Sequence, residues 1–271
     1  MKQVLSLLVV VALLCSFARA SYATKAKDNT GDGRSIIGGK DASISSYPFA
    51  LLMTIKGLGA QWACSASVIG EFYALTAAHC LVDGDKPPQT YQVTFLGGTS
   101  SIGSNGTIFN ASYYVIHDEY NECTIDNDVA VVRVTTSFFT DPAIKAITLQ
   151  DDEPAASTSC YAVGWGFLTI PPNFIDANNL QIANYTLQTS QNCRSLLGER
   201  ITEQMYCAVY ESGKVYRGDS GGPLVCGDRL HGISSFVAGH KCSSRAYDLP
   251  DVFTKVPSES IRRFIHLHTG I

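Results

Sequence analysis

The chain has 271 residues, of which 45% are hydrophobic and 16% are charged. This hydrophobic content can bury a large core, which excludes a wholly disordered chain, and the length is that of one or two domains. The formal net charge of −4 and the sequence pI near 5.8 exclude the basic footprint of a nucleic-acid-binding domain. The chain has nine cysteines, and whether they form disulfide bonds depends on the compartment in which the protein resides.

The first twenty residues have the pattern of a secretory signal peptide. Lys2 is followed by an apolar run from Val4 to Phe17 and by the small-x-small sequence Ala18-Arg19-Ala20. The alternative, a membrane anchor, needs about 20 apolar residues, and the run is shorter. We therefore expect a signal peptide over residues 1–20, secretion to the extracellular space and no membrane span.

Residues 21–35 are polar and lack an apolar period, so they are predicted to be a flexible leader. Three Asn-x-Ser/Thr sequons agree with export and predict glycosylated surface positions at Asn105, Asn110 and Asn184.

From Ile36 onward, short β-branched and aromatic runs alternate with Gly, Pro, Asn and Asp. In chain order, the clearest predicted strands are Phe49–Met53, Tyr91–Leu96, Val129–Val134 and Cys160–Val163. Many short strands separated by turns favour an all-β sandwich or barrel. Apolar residues at Ile261, Phe264, Ile265 and Leu267 predict one C-terminal helix over Ser258–His268, with Ser258 as its candidate cap.

Three short motifs together point to nucleophilic catalysis. They place His79 before Cys80, Asp128 before an apolar run, and Ser220 in a glycine-rich turn. Serine needs a base within hydrogen-bond reach, histidine can take and return a proton near neutral pH, and a buried carboxylate holds the imidazole tautomer. A lone buried His, Asp or Ser is usually structural, so the hypothesis depends on all three occurring in a known triad order.

Six motifs in order resemble those of the trypsin/chymotrypsin-type (S1 family) serine proteases, and the resemblance covers Ile36 to Ile271. The motifs are Ile36-Ile37-Gly38-Gly39, Tyr47-Pro48-Phe49, Ala77-Ala78-His79-Cys80, Asn127-Asp128, Gly164-Trp165-Gly166 and Gly218-Asp219-Ser220-Gly221-Gly222-Pro223. The resemblance implies an all-β fold of two six-stranded antiparallel β-barrels with a C-terminal helix. The active site is then expected in the cleft between the barrels.

The resemblance also implies the role of each residue. Ser220 would attack the scissile carbonyl, His79 would act as general base and then acid, and Asp128 would orient His79. The backbone N–H groups of Gly218 and Ser220 would form the oxyanion hole. Ser235 matches the family serine that contacts the buried acid and lines the substrate strand.

Members of this family are made as zymogens, which makes residues 21–35 a propeptide and residues 36–271 the protease domain. A new amine at Ile36 is implied to pair with Asp219. The sequence departs from the family at the cleavage site, because Ser35 precedes Ile36 and the basic Arg34 lies one residue further back. A cut after Arg34 would leave the Ile36 amine blocked, so we predict processing after Ser35 by a non-tryptic protease or by trimming.

Cys15 leaves with the signal peptide, and eight cysteines in an oxidising compartment suggest four disulfide bonds. The family implies the pairs Cys64–Cys80, Cys160–Cys226 and Cys193–Cys207. Tyr216 stands where the family has a cysteine that braces the pocket, so that disulfide cannot form. The remaining two, Cys123 and Cys242, either form a replacement bridge across the non-primed cleft or stay as free or intermolecular thiols.

The specificity pocket departs from the family pattern as well. Its base falls near Lys214 and Val215 instead of an acid, and Val237 and Asp251 each stand where the family has a glycine. Val237 is expected to block deep entry of a large side chain. Lys214 and Asp251 either pair across the pocket floor, or one of them selects an oppositely charged side chain. The other implied pocket residues are Arg217, Ser235 and Phe236.

No cofactor or metal is expected. The histidines other than His79 lack metal-ligand spacing. The segment that would correspond to the family's calcium loop, Leu81–Thr107, contains only Asp83, Asp85 and Lys86 as charged residues.

The leading interpretation is a secreted, monomeric serine endopeptidase of non-tryptic specificity, made as a zymogen. Its expected partners are a protein or peptide substrate, an activating protease and a protein protease inhibitor, and no nucleic acid. The alternative is a protease-like binding or decoy protein with an occluded pocket and little or no activity.

Overall fold

A computed structural model of the chain describes residues 35–57, 59–82, 91–169, 177–198, 200–237 and 249–271. The predicted signal peptide and the leader up to Arg34 lie outside the described residues, as do His240 and Cys242. The charged residues of the calcium-loop segment, Asp83, Asp85 and Lys86, also lie outside them.

Fourteen strands and two helices of more than four residues make up most of the regular structure of the described residues; short helical turns lie at Ser35–Gly38, Ile44–Ser46, Ala78–Cys80 and Phe138–Thr140. The strands are β1 (Lys40–Asp41), β2 (Ala50–Gly57), β3 (Ala60–Val68), β4 (Tyr73–Thr76), β5 (Gln92–Gly97), β6 (Thr107–Ile116), β7 (Ala130–Val134), β8 (Thr148–Leu149), β9 (Ser159–Gly164), β10 (Gln181–Leu187), β11 (Met205–Ser212), β12 (Pro223–Cys226), β13 (Arg229–Phe236) and β14 (Asp251–Lys255). The helices are α1 (Ser190–Leu197) and α2 (Glu259–Thr269).

The first six long strands close into an antiparallel barrel in the order β2-β3-β4-β7-β6-β5. Side chains in β5 alternate between the surface and the interior, which places Val93 and Phe95 inside. Phe138, from the connection after β7, lies in the same interior against Phe95 and Phe109, with ring centroids 6.1 and 4.8 Å away. The apolar face of the barrel therefore surrounds a packed aromatic centre.

The second half of the chain forms a second ring of six antiparallel strands. The order is β10-β11-β14-β13-β12-β9, and pairing of β9 with β10 closes the ring. β1 adds to β10 from outside, and β8 runs parallel to β13. The expected fold of two six-stranded antiparallel barrels is thus confirmed.

The C-terminal helix is confirmed as well, with Ile261, Phe264 and Ile265 buried on one face and Gly270 ending it in the left-handed conformation. Ser258 occupies the expected N-cap position of the helix. Its hydroxyl makes no capping hydrogen bond, and it is buried with no partner among the described residues. Helix α1 was not predicted from the sequence. Thr189 caps it by accepting the N–H of Asn192 at 3.1 Å.

Three disulfide bonds join the cysteines that the family resemblance pairs: Cys64–Cys80, Cys160–Cys226 and Cys193–Cys207. They tie β3 to the turn after β4, β9 to β12, and α1 to β11. Cys123 is exposed and Cys242 lies outside the described residues, so their bridge stays a prediction. Over the described ranges, no helix is long and apolar enough to cross a membrane.

Replacing Phe138 by alanine tests the aromatic centre of the first barrel. Phe138 is fully buried, so Phe138→Ala should lower the free energy of unfolding by about 3–5 kcal/mol through lost burial and a residual cavity. Its chain neighbour Phe139 is 49% exposed, and Phe139→Ala should change it by less than about 0.5 kcal/mol. Urea unfolding of both variants measures this; equal effects would contradict the assigned packing.

Candidate active site

The register of two neighbouring strands brings His79 and Asp128 together. His79 lies in the short 3-10 helix Ala78–Cys80, which follows β4, and Asp128 lies two residues before β7. Thr76 at the end of β4 pairs with Ala130 at the start of β7, so both side chains leave the same end of the first barrel. His79 Nδ1 lies 2.8 Å from Asp128 Oδ2, and the backbone N–H of His79 donates to Asp128 Oδ1 at 2.9 Å.

The second barrel supplies the remaining partners of Asp128. The Ser235 hydroxyl on β13 donates to Asp128 Oδ2 at 2.5 Å, as the family resemblance implies. The Thr254 hydroxyl on β14 donates to the backbone carbonyl of Asp128 at 2.8 Å. Asp128 is completely buried, so these bonds replace its hydration and fix it across the interface of the two barrels.

The pair has opposite pKa shifts. Burial raises the pKa of Asp128, but the charge and hydrogen bonds of His79 and the Ser235 hydroxyl outweigh it and hold the net pKa below its ordinary value. Burial lowers the pKa of His79, yet the Asp128 carboxylate outweighs this and raises the net pKa. A carboxylate can only accept, so Nδ1 carries the proton and neutral His79 presents Nε2 as a base.

Ser220 lies in the turn between β11 and β12, which contacts the first barrel. Its carbonyl accepts the N–H of Ser65 on β3 at 2.7 Å. Cys80 Sγ lies 3.7 Å from the same carbonyl oxygen and 3.9 Å from His79 Nε2. Cys80 Sγ is therefore within 4 Å of both His79 Nε2 and the backbone of the Ser220 turn. Ser220 itself is half-buried.

Gly218 needs the absence of a side chain. Its φ is +97°, and a Cβ atom there would lie 2.8 Å from Gly166 Cα. The Arg217 carbonyl accepts the Phe167 N–H at 2.8 Å. Because the Arg217–Gly218 peptide is trans, the Gly218 N–H points away from Phe167. Ser65 Oγ donates to the Gly218 carbonyl at 3.0 Å and fixes the next peptide.

Asp219 is buried in a pocket formed by glycines. Its carboxylate accepts the N–H groups of Gly166 at 2.8 Å and Tyr216 at 3.0 Å. A side chain at Gly164 or Gly166 would overlap the carboxylate, which explains the Gly-Trp-Gly motif. Burial raises the pKa of Asp219 to about 7, although the two N–H bonds lower it.

Ile36 is completely buried in one apolar cluster with Val215, close to the loop that carries Asp219. The Ile37 carbonyl accepts the Lys214 N–H at 2.9 Å and joins the two segments. Ile36 has a φ of +44°, which is strained for a β-branched residue.

Two of the predicted pocket residues, Lys214 and Asp251, form an ion pair. Lys214 Nζ lies 2.8 Å from Asp251 Oδ1 and donates to the Leu249 carbonyl at 2.9 Å. Burial raises the pKa of Asp251, which Lys214 partly offsets, to about 6. The Tyr185 hydroxyl donates to Asp251 Oδ2 at 2.7 Å and accepts the Val215 N–H at 2.8 Å. Sequence motifs had not indicated Tyr185 or Thr254.

The other predicted site residues have different exposures. Arg217 is exposed, Val215 and Ser235 are buried, and Phe236 and Val237 are half-buried, with Val237 packed against the Val215 cluster. The three sequon asparagines, Asn105, Asn110 and Asn184, are exposed. Within the described part of the chain, no group of three or more His, Cys, Asp or Glu side chains could hold a metal ion.

A family model described as Trypsin matches residues 36–265. The chain belongs to the trypsin family of serine proteases. Trypsin delta and trypsin alpha of Drosophila melanogaster are both 32% identical to it, over 228 and 231 residues. These matches cover 83% of this chain and 85% and 84% of the two trypsins.

Among solved structures, scabies mite inactivated protease paralogue S-D1 matches this trypsin-family chain with a TM-score of 0.73 and 25% sequence identity. The match covers 87% of this chain and 98% of the mite paralogue.

Replacing Gly218 by alanine tests the close approach to Gly166. Gly218→Ala should lower the free energy of unfolding by on the order of 3 kcal/mol or more, because it adds left-handed strain and a backbone clash. Gly227 also has a positive φ, +65°, but open space around its Cβ position, so Gly227→Ala should cost only about 1–2 kcal/mol. Denaturant unfolding compares the two; equal losses would mean that the approach to Gly166 is unimportant.

Burial of Asp219 makes the stability of the uncleaved chain depend on pH. The folded pKa of about 7 lies above the ordinary 3.8, so this stabilising contribution is complete below about pH 4 and is lost as the pH rises through 7. The loss amounts to on the order of 4 kcal/mol above pH 7. Asp219→Asn should remove it.

Thermal midpoints between pH 4 and pH 8 measure this change in slope. The folded pKa of Asp251 is about 6, so the thermal midpoint of Asp219→Asn should still fall with rising pH, but by less than that of the wild type. The exposed Asp152 gives a matched control, and Asp152→Asn should keep the wild-type slope. An unchanged slope in Asp219→Asn would contradict the assignment.

Proposed function

We propose that the chain is a serine endopeptidase that hydrolyses peptide bonds through Ser220, His79 and Asp128. The observation that carries this proposal is the His79–Asp128 pair, which is fixed across two barrels. Cys80 Sγ lies within 4 Å of both His79 Nε2 and the Ser220 carbonyl oxygen. A serine nucleophile, a histidine base and a carboxylate that orients the histidine together can carry out acyl transfer from a peptide.

In the proposed reaction, Ser220 Oγ forms a bond to the scissile carbonyl carbon while its proton moves to His79 Nε2. The carbonyl π electrons move to the oxygen, and the N–H groups of Gly218 and Ser220 stabilise this oxyanion. The C–N bond then breaks, and His79 returns the proton to the leaving amine. Water repeats the sequence on the acyl-enzyme, with Asp128 stabilising the imidazolium in both halves.

The proposed activation is cleavage between Ser35 and Ile36, followed by pairing of the new amine with Asp219. Asp219 supports this, because a buried carboxylate with two N–H bonds and a raised pKa gains from a cation. The positive φ of Ile36 supports this choice of bond as well. Cutting after Arg34 would keep the Ser35–Ile36 peptide and its strain, whereas cutting after Ser35 removes the carbonyl that restricts φ.

The remaining elements of the proposal follow from the N-terminal pattern, the cysteines and the sequons. We propose that residues 1–20 are a signal peptide, that residues 21–35 are a propeptide, and that the secreted monomer carries glycans at Asn105, Asn110 and Asn184. Its partners would be a protein substrate, an activating protease and a protein inhibitor.

A second candidate function is binding without catalysis. It is favoured by the similarity to the scabies mite protein, which is an inactivated protease paralogue. It is favoured further by the Lys214–Asp251 pair, which occupies the pocket floor. In that case the same fold would capture a protein without cleaving it.

Labelling with a serine-reactive phosphonate separates the two functions. The chain processed to begin at Ile36 should label rapidly, and the uncleaved chain should label slowly. Ser220→Ala should abolish labelling, and His79→Ala should slow it by about a thousandfold or more, because the base is lost. Mass spectrometry measures the adduct, and His266→Ala, an exposed position on α2, is the control.

Two outcomes would contradict the endopeptidase proposal. One is a processed chain that stays unlabelled at every phosphonate concentration, which would favour the binding function. The other is an active form whose N-terminal sequence begins with Ser35, which would exclude the proposed activation bond.

A further inference from the structure

Tyr185 lies on β10, is completely buried, and bonds two of the predicted pocket segments. We propose that Tyr185 is a positioning residue of the specificity pocket, where with Lys214 and Asp251 it closes a charge-neutral floor that accepts uncharged aliphatic substrate side chains. This inference rests on the proposed endopeptidase function, and it names the substrate class of that same site.

Both charges on the floor face protein groups, although Asp251 Oδ1 makes an ion pair with Lys214 and no hydrogen bond among the described residues. The Lys214 ammonium has three N–H donors, and it faces Asp251, the Leu249 carbonyl and the ring of Tyr210, whose centroid is 4.8 Å away. The two Asp251 oxygens face Lys214 and the Tyr185 hydroxyl. The Lys214 side chain is 9% exposed and that of Asp251 is not exposed. Neither charge is left for a substrate.

The Tyr185 hydroxyl sets the geometry of this floor because it donates to one segment and accepts from the other. It holds Asp251, the first residue of β14, and the Val215 N–H in the loop before Ser220. The ring of Tyr185 packs on Phe253 with centroids 5.3 Å apart, which restricts the direction of the hydroxyl. Without that hydroxyl, both the Val215 N–H and one Asp251 oxygen lose a buried partner.

The same network joins the segments that the missing family disulfide would brace. Tyr216 stands at the place of the family cysteine, and its neighbours Lys214 and Val215 are tied by polar bonds to Leu249, Asp251 and Tyr185. A disulfide braces a pocket without affecting its charge. Here the segments are joined by an ion pair, so the same contact holds them together and neutralises the two charges.

Two of the described residues next to the floor are apolar. Val215 is 3% exposed, and Val237 packs against the same cluster. A charged side chain that reached this floor would lose its hydration without gaining a free counter-charge from Lys214 or Asp251, whereas an aliphatic side chain gains by burial. The pocket therefore favours an aliphatic residue over lysine, arginine, aspartate or glutamate.

Phosphonate probes that differ only in the side chain before the reacting phosphorus test this preference. On the chain processed to begin at Ile36, a valine-like probe should react roughly tenfold or more faster than lysine-like and glutamate-like probes. A faster lysine-like probe would show an available Asp251, and a faster glutamate-like probe would show an available Lys214. Either result would overturn the neutral floor.

Tyr185→Phe tests the positioning role. It should reduce the ratio of valine-like to charged-probe rates at least several-fold, because Asp251 loses a donor and Lys214 is less completely neutralised. Tyr206→Phe is the matched control: Tyr206 is also buried, but its hydroxyl has no hydrogen-bond partner among the described residues. Equal selectivity ratios in wild type and Tyr185→Phe would overturn the role.

A stability cycle tests the floor without requiring activity. Lys214→Met and Asp251→Asn should each lower the thermal midpoint, since each strands a buried charge, and the double variant should be more stable than the sum of the two losses predicts. Additive losses would overturn the pairing. Strong coupling in a chain that no probe labels would support the neutral floor while overturning the endopeptidase function.

Discussion

The buried carboxylate of Asp128 is the interaction on which the arrangement of the site depends. Asp128 comes from the first barrel, yet two hydroxyls of the second barrel hold it in place: Ser235 donates to its carboxylate and Thr254 to its backbone carbonyl. Leaving any of these groups unpaired in the interior would cost free energy, so the two barrels pack together in the one orientation that pairs them. The position and tautomer of His79 follow from the same carboxylate.

A second buried carboxylate, Asp219, orders the loop on the other side of the nucleophile. Its bonds to Gly166 and Tyr216 fold the chain around Gly218, and the required glycines leave room for the carboxyl group. The Asp128 carboxylate has the imidazole and backbone N–H of His79 and the Ser235 hydroxyl as partners. The Asp219 carboxylate, in contrast, is bonded to two backbone N–H groups, and no cationic side chain among the described residues lowers its pKa. This difference explains why burial prevails in the pKa of Asp219 and not in that of Asp128.

The predictable parts of the structure are those with local or motif signals. Alternating residues marked several strands, the 3.6-residue apolar period marked α2, and family motifs marked the three disulfide pairs. Tyr185 escaped prediction because its hydrogen-bond partners, Asp251 and Val215, lie 66 and 30 residues away in the sequence, and no local pattern records such contacts. The N-cap position of Ser258 was predictable as well, but not that its hydroxyl makes no capping bond, because composition cannot show which way a hydroxyl points.

The short strand β1 has a consequence for the chain end that precedes it. Lys40 is paired with Ile182 on β10, so a terminus created at Ile36 is tethered by only four residues. Those residues can reach about 14 Å at most. Such a tether gives an effective local concentration on the order of millimolar or higher, so docking of the amine becomes an intramolecular step. Because β1 is paired with β10, docking of the new N-terminal amine would therefore not depend on protein concentration.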